Sequence, residues 1–218
     1  MVVQDWGITN VDVRIRESLG YDFGSLYLFF SRLTEVLAPQ VDAFLLLLTG
    51  AGLALWRRTW APLLVALSAI AICAAGVLSL KYGIARPSPS GLPVADGGDF
   101  PSGHTASALV LLGTIALLIT RPGRVRALAL AVVAMIGMLV GAAVVYDGFH
   151  WFSDALASCL MAPVLLWLVT KTPFFPAWER DRAGHAPARR AGSASQPERP
   201  ADDLLHDLRR TAVDGLHP

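Results

Sequence analysis

The sequence predicts an all-α membrane protein, a polytopic bundle of about five transmembrane helices with an interfacial helix at its N-terminus. Hydrophobic residues make up 54% of the 218 residues. The mean hydropathy is +0.52, which is too apolar for an ordinary soluble domain of this size. Several apolar runs are close to the roughly 20 residues that a helix needs to cross a bilayer. Short basic connectors join the first run to the second and the third to the fourth, and another basic segment follows the fifth.

The first predicted segment is residues 1–37. It mixes charged and apolar residues and has no basic stretch followed by an apolar core, so we expect no cleavable signal peptide. Between Gly24 and Pro39 the chain is apolar, but it is short and carries Arg32 and Glu35. An amphipathic helix lying in the membrane interface fits this pattern, and a short first span is the alternative.

A membrane domain is predicted over residues 38–175. The five apolar runs are residues 38–56, 60–80, 101–120, 127–146 and 151–170. Lysine and arginine lie between the first and second runs, between the third and fourth, and after the fifth. Because basic connectors favour the cytoplasm, we expect an integral plasma membrane protein with the other loops outside. The outer loops are then residues 82–100, 101–104 and 146–150.

Residues 176–218 are rich in Ala, Arg, Pro and Ser and are predicted to be a disordered cytoplasmic tail, in which 202–213 could form a short helix. The net charge of +1 argues against a nucleic-acid partner. Cys73 and Cys159 fall inside apolar runs, which is typical of small core residues rather than a disulfide.

A polar motif, Pro101-Ser102-Gly103-His104, stands at the start of the third run. Pro suits the first position of a helix, so we expect the helix to begin at about Pro101. The first N–H groups of a helix have no internal partner and face outward at the positive end of its dipole. The motif therefore predicts an anion site, although it could also be a simple helix cap.

Lys81 and Arg86 flank the end of the second run on the same predicted side. A lysine at a span end is often an anchor that reaches the membrane surface. The alternative is that both cations bind a phosphate.

His150 and Asp154 are four residues apart at the start of the fifth run, so on a helix they would share one face. A carboxylate that accepts from one imidazole nitrogen leaves the other nitrogen free as a nucleophile. An interfacial histidine beside a capping aspartate is the plainer interpretation. A metal site that also includes Asp147 and His104 is conceivable, but its ligand spacing is not a recognised one.

The order of these motifs resembles that of a known family. Residues 81–89, 101–104 and 150–154 together resemble the type 2 phosphatidic acid phosphatases, which are membrane lipid phosphatases related to vanadium haloperoxidases. The resemblance covers roughly residues 24–170. Order, spacing and predicted sidedness carry it together, since His-x-x-x-Asp alone would be weak.

The resemblance implies a two-step hydrolysis without metal or cofactor. The histidine at His150 would attack phosphorus, the aspartate at Asp154 would orient it, and the histidine at His104 would protonate the leaving oxygen. Lys81 and the Ser102–Gly103 corner would bind phosphate oxygens. A phosphorylated lipid in the bilayer is the implied partner.

Two arginines of the family pattern are replaced in this chain. The first motif has an Arg seven residues after its Lys, where Ser88 stands here, and Arg86 lies two residues early. The third motif begins with Ser-Arg, where Ala143 and Val144 stand. Arginine binds phosphate through two parallel hydrogen bonds, which neither replacement can form. Arg86 could substitute in part, while Asp147 would add negative charge near the site.

Two hypotheses follow from the sequence. The first is a phosphatase of a polyprenyl phosphate or diphosphate, or of a lipid like phosphatidic acid. The second is a weak or inactive relative that binds a phospholipid headgroup or a partner protein in the cell envelope. The orientation of Arg86 should discriminate between them, because an active enzyme needs this cation in its pocket.

Overall fold

The protein is all-helical, as predicted. The structure, a computed structural model, describes residues 7–19, 24–91 and 97–184, and within them it contains no strand. The helices are α1 (Gly7–Leu19), α2 (Ser25–Val36), α3 (Pro39–Arg57), α4 (Ala61–Ile84), α5 (Gly103–Ile119), α6 (Arg124–Tyr146), α7 (Phe152–Lys171) and α8 (Phe174–Gly184). The chain divides into two units, Met1–Arg180 and Asp181–Pro218. All contacts described below lie within the first unit.

Four helices, α3, α4, α6 and α7, are long and apolar enough to cross a membrane. They contain between 19 and 24 residues each. The third predicted span corresponds to α5, which has 17 residues and is therefore about 25 Å long, slightly less than a bilayer core. The predicted polytopic membrane bundle is confirmed, with one of its five apolar helices shorter than expected.

Helix α5 begins later than predicted because its cap is Ser102, not a residue before Pro101. Ser102 has an extended backbone, and its side chain accepts a hydrogen bond from the Thr105 N–H. The expectation that Pro101 occupies the first helical position is therefore wrong. A serine oxygen can satisfy an N–H of the first turn, which explains why the helix starts beyond it.

Helix α5 is also the centre of the bundle. It contacts α3, α4, α6 and α7, and most of its residues are buried. The surrounding helices expose large apolar side chains such as Leu55, Leu128 and Leu160 on their outer faces. Such a surface fits the hydrocarbon of a bilayer.

Helices α3, α5 and α7 begin at one end of the bundle, where α4 and α6 end. We call this the site end. The Ser107 hydroxyl donates to the Asp42 carboxylate, joining the first turns of α5 and α3. The Ser102 N–H donates to the Asp154 carbonyl, joining α5 and α7. Hydrogen bonds between these polar first turns therefore hold the site end together.

The two N-terminal helices also lie at the site end. Helix α2 packs on α6, where the Phe30 and Tyr146 rings are 5.1 Å apart. With 12 residues it is about 18 Å long, too short for a span, and it exposes Leu26, Leu28 and Phe29. Those features fit the amphipathic helix predicted here. Helix α1, which contacts α6 and α7, was not predicted.

The chain stays helical past residue 176, where the tail was predicted to begin. Phe175 and Trp178 of α8 are buried in the apolar core, and Glu179 binds Arg126 at 2.8 Å. Two aromatic side chains thus pack α8 against the core, although the composition of this segment predicted that most of it belongs to the disordered tail. Residues 185–218, including the helix predicted at 202–213, lie outside the described residues.

Candidate active site

His150 and Asp154 meet at the start of α7, although not by the predicted geometry. Helix α7 begins at Phe152, so His150 precedes it. The backbone N–H of His150 donates to the Val144 carbonyl, which fixes the histidine against the end of α6. The His150 Nδ1 atom lies 3.5 Å from Oδ2 of Asp154. The pair is therefore held by the helix cap rather than by neighbouring positions on a helix face.

The Asp154 carboxylate is fully buried. Its Oδ2 accepts the Trp151 N–H at 3.0 Å, so it caps α7 while it faces His150. The 3.5 Å approach is longer than a good hydrogen bond, and catalytic hydrogen bonds commonly tighten when substrate binds. A proton on His150 Nδ1 would face Asp154 and leave Nε2 available to attack.

Ser102 is engaged entirely within the protein. Its N–H donates to the Asp154 carbonyl at 3.2 Å, and its own carbonyl accepts the Ser158 hydroxyl at 2.8 Å. The N–H groups of Gly103 and His104 belong to the first turn of α5, where an intrahelical partner is absent by geometry. Of the predicted anion donors, these two fit best, and the role of Ser102 in phosphate binding stays a prediction.

The structure brings together Lys81, His104 and His150 from three helices or their ends, and their catalytic roles stay predictions. Lys81 occupies the last turn of α4 and is buried. His104 interacts electrostatically with both His150 and Lys81. A cation and two imidazoles are therefore close to one another at the site end.

Asp99 is a residue that the sequence reasoning missed. It is buried, and its Oδ2 has no hydrogen-bond partner among the described residues. Burial raises the pKa of the Asp99 carboxyl above its ordinary value, and the nearby His150 side chain, a hydrogen bond with Ser88 and the Lys81 cation offset part of that rise. The Asp99 carboxyl therefore lies close to His150 and to Lys81, which is predicted to bind phosphate.

Gly98 places Asp99 there. A Cβ atom at position 98 would lie 2.7 Å from the backbone nitrogen of Arg86. Glycine has no such atom, so it permits the close approach of the two segments. The Asp99 N–H then donates to the Arg86 carbonyl at 2.9 Å. Ala85, in the left-handed conformation with φ of 49°, ends α4 and turns the chain into this contact.

The Arg86 side chain points neither toward the residues that are predicted to bind phosphate nor toward the outside of the bundle. Its Nη1 donates to the Ser153 hydroxyl at 2.6 Å and to Asp154 Oδ1 at 2.5 Å. Its Nη2 donates to Asp12 Oδ2 at 2.6 Å. The guanidinium is thus shared between two carboxylates, and a role for Arg86 as a phosphate ligand stays a prediction.

Asp12, on α1, is the second residue that was missed. Its side chain is only 2% exposed, and it bonds to Ser153 as well as to Arg86. No motif could have identified it, because it lies in a segment of mixed charge far from the other residues in sequence. Asp12 and His150 both line a small, partly open pocket of about 10 Å³, which has room for about one water molecule, together with Arg16, Pro89 and Trp151.

Ser88 and Val144, which stand where the resemblance predicts arginine, supply no positive charge. Ala143 and Val144 are fully buried in the last turns of α6, and the Ser88 hydroxyl pairs with that of Ser90 at 2.8 Å. The Asp147 carboxyl lies beside Thr34 of α2. Burial raises the pKa of Asp147, and Thr34 offsets part of that rise. Its charge therefore belongs to the contact between α6 and α2.

Among the described residues, no group of three or more His, Cys, Asp or Glu is arranged to hold a metal ion.

Comparisons with known proteins agree on the family. The model of the PAP2 superfamily matches residues 58–178. The crystal structure of a transmembrane PAP2-type phosphatidylglycerolphosphate phosphatase from Bacillus subtilis is similar, with 25% sequence identity and a TM-score of 0.67. The match covers 77% of this chain and 87% of the Bacillus chain. No curated protein matches this chain.

The fold and the family are those of membrane lipid phosphatases. The match to the family model covers more than half of the chain and includes Lys81, the cap of α5 and the His150–Asp154 pair. The protein therefore belongs to the PAP2 superfamily.

Proposed function

We propose that this protein hydrolyses a phosphomonoester or diphosphate of a lipid through a phosphohistidine formed on His150. The observation that carries the proposal is the position of His150, between the buried Asp154 carboxylate and a group formed by Lys81 and His104. An oriented imidazole, a second imidazole and a cation are what nucleophilic attack on a phosphate requires.

In the first step, the lone pair on His150 Nε2 attacks phosphorus. The N–P bond forms while the bond from phosphorus to the ester or bridging oxygen breaks, and His104 gives its proton to the leaving oxygen. Asp154 stabilises the positive charge that develops on the His150 ring. Lys81 and the N–H groups of Gly103 and His104 receive the charge on the phosphate oxygens.

In the second step, water attacks the phosphohistidine. His104, now neutral, takes a proton from the water, and the N–P bond breaks to release inorganic phosphate and restore His150. The same imidazole thus acts first as an acid and then as a base. No step requires a metal ion.

The substrate is a lipid whose phosphate reaches the site end while its tails lie against the apolar helix faces. We propose that the site end faces the outside of the plasma membrane and that the tail is cytoplasmic, which follows from the basic connectors. Polyprenyl phosphates and diphosphates and lipids like phosphatidic acid fit this description. Phosphatidylglycerolphosphate joins them, because the similar Bacillus protein is named for it.

The shortage of positive charge sets an expectation for the rate. Removing an arginine that stabilises the transition state costs about 10³–10⁵-fold in other phosphoryl transfers. Here Ser88 and Val144 stand at the arginine positions, and Arg86 is shared between carboxylates. We therefore expect slower turnover than a relative with both arginines would show.

A second candidate function rests on the same contact. Since Arg86 is bound to Asp12 and Asp154, the chain could be an inactive relative that holds a phospholipid headgroup or an envelope protein. Such a protein would bind the lipid but would not release phosphate.

Phosphate release by the purified full chain in detergent separates the two candidates. The panel comprises polyprenyl diphosphate, polyprenyl monophosphate, phosphatidic acid and phosphatidylglycerolphosphate, with His150→Ala as the control. We expect release from at least one lipid and none from His150→Ala. If the wild type released no more phosphate than His150→Ala from any lipid, hydrolysis through His150 would be excluded and the binding role favoured.

A further inference from the structure

We propose that Asp12 of α1 is a positioning residue, which holds the His150–Asp154 pair in its reactive geometry through Ser153 and Arg86. The inference rests on the proposed function of His150. It adds the N-terminal helix, which carries none of the family motifs, to the machinery of the site.

The first contact is between Asp12 and the start of α7. Asp12 Oδ1 accepts the Ser153 backbone N–H at 2.8 Å, and Oδ2 accepts the Ser153 hydroxyl at 2.5 Å. Ser153 is the second residue of α7, so a carboxylate from another helix satisfies an N–H of its first turn. A negative charge at the positive end of a helix is favourable, and this one fixes the turn that carries Asp154.

The second contact passes through Arg86. Asp12 Oδ2 accepts from Nη2 of Arg86, while Nη1 of the same guanidinium donates to Asp154 Oδ1. The guanidinium group of Arg86 is planar and rigid. When Asp12 fixes its Nη2 atom, the position at which Nη1 can hold Asp154 is therefore restricted. Asp154 is left with Oδ2 toward His150.

The charges of the cluster add a further effect. Arg86 carries one positive charge, while Asp12 and Asp154 carry two negative charges, so the cluster has a net charge of −1. Without Asp12, Arg86 would neutralise Asp154 alone. The cluster would then stabilise a positive imidazole less well, and His150 would protonate at lower pH.

Apolar packing explains little of how α1 is held. Val11, Val13 and Leu19 are exposed, whereas Asp12 is buried among polar partners. The polar contact therefore helps to attach α1 at α7, together with the Arg16 guanidinium over the Trp151 ring. An anchoring role alone and a positioning role predict different results when Asp12 is changed.

The first test measures His150 itself and needs no substrate. Diethyl pyrocarbonate modifies neutral imidazole, and mass spectrometry of the full chain in detergent gives its extent at His150 as a function of pH. We expect Asp12→Asn to move the midpoint of this curve about one pH unit lower. Asp12→Glu should restore most of the shift, and Glu17→Gln, an exposed acid on the same helix, should leave the midpoint unchanged.

The second test is a double-mutant cycle on phosphate release. If Asp12 acts through Asp154, Asp12→Asn should lower kcat about 10–100-fold with KM within about threefold, but should have under about twofold effect in Asp154→Asn. A purely anchoring role predicts equal losses in both backgrounds. That result, or an unchanged His150 midpoint in folded Asp12→Asn, would overturn the proposal.

The two proposals fail separately. If the wild type releases no phosphate, the proposed function fails, while the midpoint of His150 modification still decides the role of Asp12. If Asp12→Asn does not fold, Asp12→Ser provides the comparison, because its hydroxyl can still accept the Ser153 N–H while the charge beside Arg86 is removed. A gain in turnover for either variant would show that Asp12 withholds Arg86 from phosphate, contrary to the proposal.

Discussion

Two polar clusters meet at His150, and they are built differently. The orienting cluster joins three separate segments through hydrogen bonds of 2.5–2.8 Å, and its members are Asp12, Arg86, Ser153 and Asp154. The phosphate cluster has one buried lysine and one buried carboxyl with an unpartnered oxygen, and its members are Lys81, Asp99, Ser102, Gly103 and His104. Every side chain of the first cluster is bound to another member, whereas Asp99 of the second has a carboxylate oxygen without a partner among the described residues.

The two clusters differ in where arginine is found. Arginine is found in the orienting cluster, where it meets carboxylates, and not at either position expected for binding phosphate. The Asp154 carboxylate, which faces the proposed nucleophile His150, is thus firmly held, while the proposed phosphate position has little positive charge around it. The predictions below change one cluster at a time.

The largest effect is expected for Asp154→Asn. An amide cannot stabilise the charged imidazole and favours the wrong tautomer, and a comparable change in serine proteases costs about 10⁴-fold in kcat. We expect a loss of about 10²–10⁴-fold in phosphate release. The change also weakens one of the two carboxylate contacts of Arg86, so the free energy of unfolding should fall by about 1–3 kcal/mol.

Ser158→Ala is the control for Asp154→Asn. Its hydroxyl donates to the Asp154 backbone carbonyl and not to the carboxylate. A loss above about tenfold for Ser158→Ala would mean that backbone packing at α7, and not the carboxylate, sets the rate.

A smaller effect, in this case a gain in phosphate release, is expected from adding a cation to the phosphate cluster. Ser88→Arg restores the arginine of the family pattern at a partly exposed position. A charge-assisted pair with phosphate should raise kcat/KM about tenfold. Ser90→Arg, two residues away and exposed, is the matched control. Equal gains from both variants would point to general attraction of an anionic lipid instead of a clamp.

The smallest effect is expected for Asp99→Asn, and it should depend on pH. Because burial raises the pKa of Asp99, the wild-type carboxyl is neutral at acid pH and charged only above that raised value. Inhibition by inorganic phosphate should therefore be equal in the two proteins at acid pH. As pH rises, the variant should bind phosphate about 3–10-fold more tightly, since it lacks the repelling charge.

Asp147→Asn separates this effect from a general loss of negative charge. Its carboxyl oxygens are buried too, but they lie beside Thr34 of α2. The ratio of its phosphate affinity to that of the wild type should stay constant with pH. A pH-independent ratio for Asp99→Asn as well would contradict the placement of Asp99 beside the phosphate.

Much of the fold could be predicted because membrane helices are local features. A run of about 20 apolar residues predicts a span wherever it occurs, and the helices α3, α4, α6 and α7 match their runs closely. The start of α5 was missed because capping by Ser102 overrode the preference of Pro101. The burial of Phe175 and Trp178 was missed because two aromatics count little in the composition of a tail.

The candidate site could be predicted only where residues belong to a motif. Lys81, His104, His150 and Asp154 were identified in this way, and the structure brings them together. Asp12 and Asp99 were missed because tertiary contacts between distant segments give them their meaning. The orientation of Arg86 depends on Asp12, and so the sequence alone could not settle it either.

The most direct test of the account is to trap the phosphorylated enzyme. Wild-type protein is mixed with a lipid substrate carrying labelled phosphate, quenched in alkali, and digested for mass spectrometry. Phosphohistidine survives alkali and is lost in acid, so we expect an acid-labile label on the peptide that contains His150. Phosphate release without any label on His150, or with the label on another residue, would contradict the account.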